Sequence, residues 1–176
     1  MAKTIEFPKQ EEYPSYANMY MKYTIKDGTL LKQLKASLVS TKKLISSLSE
    51  KELNYKYQED KWSIKNVLVH IIDDERIYCY RALAFARNDK TNFPGFEQDD
   101  YAMFADTDQR DIDNILAEYE AVRAATIALF EGFSETALKR IGTANGNNTS
   151  VRALGYHILG HELHHIEIIK KYYLNL

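Results

Sequence analysis

Apolar residues recur at helical spacing along four long stretches of this chain, and no segment alternates strongly enough to read as a strand. The first stretch, about Thr29 to Leu48, carries Leu30, Leu31, Leu34, Leu38, Ile45 and Leu48. The second begins after "QEDKWS" and runs from about Ser63 to Arg87. The third, "DIDNILAEYEAVRAATIALFEGF", starts in an acidic cluster and stops near Gly132, as helix termini prefer. "GTANGNN" is then dense turn chemistry, after which Thr149 or Ser150 caps a fourth helix that runs nearly to the C-terminus. A one-sided helix must bury its stripe against others, so the expected fold class is all-α, a four-helix bundle.

The connections add topology. Between the second and third helices lie about nineteen residues, "NDKTNFPGFEQDDYAMFAD", interrupted by Pro94-Gly95. A loop of that length is unusual in a compact domain unless it crosses the fold or covers a site. As a long crossover it lets helices two and three run parallel. Two roles fit "FPGFEQDDY": a cover with Phe93, Phe96 and Tyr101 as apolar lining, or a crossover that packs on the bundle. At 176 residues the chain has room for one domain with a real core. The expectation is a single domain over 1–176, with 1–22 as an N-terminal extension packed on the bundle.

The last helix holds four of the five histidines within nine residues: His157, His161, His164 and His165. Each helical residue advances by about 100°, so His161 and His165, four apart, lie about 40° apart on one face. Leu154, Ile168 and Tyr172 fall in the same wedge, which points both imidazoles along a buried face. Two neutral imidazoles in a dry wedge need partners, and a divalent metal supplies one to each. His157 and His164 lie on the wedge's shoulder, as supporting or surface groups. The fifth histidine, His70, shares its side of helix two with Val67, Ile77, Arg81 and Phe85, so it too faces inward. If helices two and four touch, His70, His161 and His165 form a three-histidine set. Such a set leaves positions open for water or substrate, as a catalytic metal requires. Cys79 lies about 180° round the helix from His70 and is outside that set.

"HELHH" also satisfies the zinc-protease pattern H-E-x-x-H, which needs a third ligand further along the chain. Only eleven residues follow His165, with Ile168 and Lys171 at the usual spacings and Glu167 too close to serve. The protease reading is rejected, and Glu162 need not be a base. Among nearby acids, Asp74 is a candidate general acid or base four residues after His70, and Asp73 could orient a ligand histidine. The competing reading of both is a solvated acidic turn or an ion pair with Arg76 or Arg81. Glu75 and Arg76 point away from the metal side, toward packing or interhelical ion pairs. Trp62 and the thirteen tyrosines read as core and interface filler.

Composition excludes several classes. Lys plus Arg number 23 against 25 acids, a net charge of −2, so no basic face for nucleic acid is expected. No apolar run approaches a membrane span, and the first residues lack a signal-peptide core. The lone Cys79 cannot form an internal disulfide. A cytoplasmic location is the expectation.

The residues also carry a likeness. W-S-x-K (Trp62 to Lys65) followed by His70, the Glu75-Arg76 pair and the terminal His161-x-x-x-His165 resemble the DinB-like superfamily of small helical bundles, in its YfiT-type branch. The likeness extends over "YMKYTIKDGTLLKQL", "FPGFEQDDYA" and "EYEAVRAATIALFEGF", most of the chain. It implies a divalent metal, zinc or nickel, on His70, His161 and His165, and often a homodimer. The activities it implies act on a small-molecule substrate. They are thiol transfer or isomerisation with a low-molecular-weight thiol, or metal-dependent hydrolysis. Two other readings stay open: a metal-loaded, stress-related binding protein without turnover, and a bundle in which the histidines are only core polar groups.

Overall fold

The computed structural model describes residues 3–174. After two short 3-10 turns come α1 (Asn18–Met21), α2 (Leu30–Ser46), α3 (Glu50–Leu53) and α4 (Ile64–Ala86). The long connection holds β1 (Asn92–Phe93) and α5 (Gln98–Met103), and leads into α6 (Ile112–Gly132). Then follow α7 (Glu135–Leu138), β2 (Ile141–Ala144), β3 (Asn147–Ser150) and α8 (Val151–Ile168), closing in a π-helical turn over Ile169–Tyr173. The four expected helices are α2, α4, α6 and α8.

Side-chain contacts fix their directions. Arg76 meets Glu118, Arg123 meets Glu75 and Cys79 meets Thr126, so α4 and α6 run parallel. His70 meets His161 while Asp74 reaches back to His157, so α4 and α8 run antiparallel. The order is therefore up, down, down, up, with the crossover joining the two parallel helices as the loop length suggests.

The expectation of no strands is corrected. β2 and β3 form an antiparallel hairpin, and β1 adds to β2 in parallel register, Asn92 opposite Thr143. The turn is Asn145-Gly146, both at positive φ (49° and 69°), the two-residue turn that matches hairpin twist. These strands are polar and only two to four residues long, so they lack the alternation that betrays a half-buried strand. The hairpin packs through Gly142, where an added Cβ would sit 2.0 Å from the Phe85 ring. It also tethers the crossover, since Asn145 N donates to Phe93 O at 2.8 Å.

Capping follows residue chemistry. Ser63 opens α4 and exchanges hydrogen bonds with Asn66. Ser150, not Thr149, caps α8 by accepting from Ala153 N. The N-terminal segment packs on the bundle: Ile5 is buried, and the Tyr156 hydroxyl donates to its carbonyl at 2.8 Å.

Two apolar cores fill the bundle's two halves, one around Leu34, Phe85, Phe130 and Leu159, the other around Ile64, Ile71, Ile115 and Ile166. A polar waist separates them. On one side of it Arg123, 0% exposed, bridges Glu75 (2.8 Å) and Glu162 (2.8 Å). Ser37 and Thr41 donate to Glu162, as does Tyr119, and Thr126 donates to Glu75. Every charge there has a partner, the condition under which a buried ionic group is tolerable. The other side of the waist is the histidine cluster.

Candidate metal centre

His70 on α4 and His161 and His165 on α8 converge. The Nε2 atoms of His70 and His165 each lie 3.1 Å from Nε2 of His161, and one ligand atom from each of the three falls within 4.8 Å of the others. The helical pitch explains the meeting: i, i+4 residues on α8 stack over one another, and α4 presents its single histidine to that face. His70 and His161 are buried, and Trp62 packs on the His70 ring at 4.9 Å between centroids.

The donor set suits a cation. Asp74 Oδ2 lies 3.4 Å from His161 Nδ1 without forming a hydrogen bond of ordinary geometry, and its charge favours the tautomer that carries the proton on Nδ1 and turns the Nε2 lone pair to the cluster. Burial pushes the imidazolium forms of His70, His161 and His165 down; His165, also beside His70 and His164, falls to about 3. Three neutral rings thus aim nitrogens at one point. One lone pair on His161 cannot satisfy two neighbours that are both 3.1 Å away, whereas a cation between them bonds to all three. The two 3.1 Å separations fit metal–nitrogen bonds of about 2 Å.

Asp74 is buried and does not pair with Arg76 or Arg81. Arg76 is held by Glu118 and Arg81 by a backbone carbonyl. Asp74 instead faces two histidines, His161 and, at 3.5 Å, His157 Nε2. Burial works against its charge, but His161, His157 and His70 outweigh it and hold the carboxyl at about 2. The orienting position considered for Asp73 is therefore filled by Asp74. Asp73 is half-buried, with its carboxyl raised by that burial.

Other residues sort clearly. Glu162 turns away from the histidines into the Arg123 network, so it cannot serve as the base of an H-E-x-x-H protease. Cys79 meets Thr126 at 3.1 Å, away from the cluster as expected, and burial raises its thiol to about 12. His157 is a buried ring stacked on Tyr78 at 3.9 Å and 1°. His164 lies half-buried against Tyr20 and Tyr23. Tyr172 leaves the wedge assigned to it and is 47% exposed, while Tyr173 is buried. The π-helical turn winds more residues per turn than an α-helix and shifts the register there.

A cavity of about 340 Å³ opens beside the cluster, reaching His70, Asp74, His157 and His161. A second, of about 330 Å³, reaches His165 from the side of Trp62 and Tyr57. Gln98 and Asp99 of the crossover line both. The crossover is thus both a topological link and a cover. Of its aromatic residues, Phe96 lines the larger cavity, Phe93 is buried beside Phe85, and Tyr101 is largely exposed. Sequence reasoning missed Tyr20, whose ring edge meets His157, His161 and His164 at 4.9–5.4 Å. Gly160 permits that approach: a Cβ there would fall 2.5 Å from the Tyr20 carbonyl oxygen. No sequence pattern pairs a tyrosine in a four-residue helix with a glycine 140 positions later.

Comparison with known proteins agrees with this architecture. A candidate metal-dependent hydrolase of Oceanobacillus iheyensis is 29% identical over 153 residues, covering 85% of this chain and 87% of the relative. The structure of YfiT from Bacillus subtilis, described as a probable metal-dependent hydrolase with an unusual four-helix bundle topology, superposes with a TM-score of 0.64. The match has 16% identity over 94% of this chain and 93% of that one. No helix among the described residues is long and apolar enough to cross a membrane. The profile of the DinB superfamily matches residues 33–169, and the chain belongs to that superfamily.

Proposed function

We propose that this protein is a metal-dependent hydrolase acting on a small molecule, with His70, His161 and His165 holding a divalent cation, zinc or nickel. The observation that carries the reading is the convergence of three imidazole nitrogens, from two helices, where two cavities reach the cluster, one lined by His70 and His161 and the other by His165. Bound there, the cation would lower the pKa of a water or thiol and polarise an acyl or phosphoryl oxygen. The chain's own groups do the rest. Asp74, 3.4 Å from His161 Nδ1, favours the tautomer with its proton on Nδ1 through its charge rather than through a formed hydrogen bond. Its Oδ2 has no hydrogen-bond donor in ordinary geometry among the described residues, so in a rearranged complex it can also accept a proton. Tyr20 and Trp62 screen the rings from bulk water.

Thiol transfer with a low-molecular-weight thiol is the second reading. What favours it is a pair of cavities approaching the histidines, one at His70 and His161 and one at His165. That arrangement offers separate seats for a thiol and an electrophile. Metal analysis of protein purified from metal-supplemented medium is the first test, with close to one equivalent expected in wild type and under a tenth in His161→Ala. The zinc or nickel protein is then assayed on carboxylic and phosphoric esters and amides, with and without a thiol. Metal-free wild type, or equal rates in wild type and His161→Ala, overturns the proposal.

A further inference from the structure

The larger cavity contains a cation that the reaction chemistry does not use. Arg81 is 7% exposed, yet it has no carboxylate partner among the described residues. Its guanidinium makes one hydrogen bond there, from Nη2 to the carbonyl of Pro94 at 2.8 Å, and lies over the Tyr78 ring at 5.1 Å. The contrast within the molecule is informative. The other arginines of comparable burial, Arg123 and Arg152, are each held by two glutamates. Holding a nearly buried guanidinium without a counter-ion is costly unless something supplies one. Its remaining donors are not enclosed by protein, and Arg81 lines the cavity that ends at His70 and His161.

The groups are ordered along the helix. His70, Asp74, Tyr78 and Arg81 occupy one face of α4 and all line the same cavity. Eleven residues of helix separate the first from the last, a rise of about 16 Å, and side chains lean toward the helix N-terminus, which brings Arg81 back toward the histidines. Tyr78, stacked on His157, forms the wall between the two ends. The other charged lining groups are accounted for. Asp74 is engaged by two histidines, and Glu97 and Asp99 are exposed on the rim. The bond to Pro94 also ties the arginine to the covering crossover, so its position depends on the cover being in place.

We propose that Arg81 is a specificity-determining residue that binds an oxyanion group, carboxylate or phosphoryl, at the end of the substrate remote from the three histidines. The substrate class is then an elongated small molecule with an anionic tail, reacting at its opposite end. A planar guanidinium matches both oxyanions through paired N–H donors. This rests on the proposed metal centre, and the test separates the two.

Protein loaded with cobalt(II), whose visible spectrum reports the histidine site, is titrated with aliphatic dicarboxylates from succinate to suberate. Monocarboxylates of equal length and ω-phosphonocarboxylates provide the comparisons. A charge-assisted contact is expected to give the best-fitting dicarboxylate at least about a 10-fold advantage over its monocarboxylate. The phosphonate series identifies which oxyanion is preferred. Arg81→Met should abolish the advantage while the cobalt spectrum and monocarboxylate affinity stay as in wild type; Arg81→Lys should restore part of it. Equal affinity of mono- and dianions at every length in the wild type overturns the Arg81 assignment without recourse to any variant. Failure to bind cobalt at the histidines overturns the metal centre instead.

Discussion

Replacing Asp74 by Asn removes one charge and almost no volume, so its effect on metal affinity can be worked from the site. Asp74 Oδ2 stands 3.4 Å from His161 Nδ1. Adding the ring's width and a metal–nitrogen length of about 2 Å puts a cation on the far side of that ring about 7 Å from the carboxylate. At an effective dielectric of about 20, the attraction between a unit negative charge and a divalent cation over that distance is roughly 4.7 kcal/mol. That sets an upper limit of about 3,000-fold on the loss of affinity; the adjoining cavity screens the pair and the asparagine amide oxygen still faces the ring, so the expected loss is the roughly 10–100-fold typical of groups that orient a ligand histidine. The apo-protein should not suffer equally, because the carboxylate makes no standard hydrogen bond that the amide would forfeit. Competition for zinc against a chromophoric chelator measures the affinity, and urea denaturation of the apo-protein measures stability. Glu167→Gln, on α8 with His161 and His165 but exposed and paired among the described residues only with Lys170, is the control and should change neither. An affinity within about 3-fold of wild type in folded Asp74→Asn protein would show that Asp74 does not act through His161. A loss matched by an equal loss of apo stability would show that its role is packing.

The remaining expectations concern stability. Arg123→Met strands Glu75 and Glu162 in the core and should cost about 3–5 kcal/mol in urea or thermal unfolding; a cost below about 1 kcal/mol would mean that the waist is not the closed ionic layer described. The apo-protein should also lose stability as pH falls from about 7. His70, His161 and His165 titrate lower in the folded state than in the unfolded chain, so between the unfolded value near 6.5 and the folded values the unfolded chain binds more protons. Each such histidine contributes a slope of about 1.4 kcal/mol per pH unit, extending down to about pH 3 for His165. Asp74, held at about 2, adds a loss only below the ordinary aspartate range. A flat apo stability from pH 7 to 5 would contradict the buried, neutral cluster.

Local pattern alone was enough for much of this protein. The 3.6-residue period of apolar side chains marks the four long helices, because a helix that must bury one face repeats that face every turn. The same arithmetic paired His161 with His165, since residues four apart on one helix meet regardless of what packs around them, and turned His70 inward on its own helix; that the two helices touch at those rings was decided by packing. The length of the connection after α4 foretold parallel α4 and α6. Tertiary structure decided the rest, for reasons no local window contains. The hairpin was hidden because its short polar strands are held by a turn and by Phe85 rather than by alternation. Whether Asp74 would meet an arginine or a histidine depended on which helix lay across from it. Glu162, next in sequence to a candidate ligand, belongs to the opposite side of the waist, because adjacent helical residues point about 100° apart and its partners come from α2 and α6. An isolated charge such as Arg81 could be recognised only with every neighbour in place, since the absence of a partner is a property of the packed interior and not of the chain.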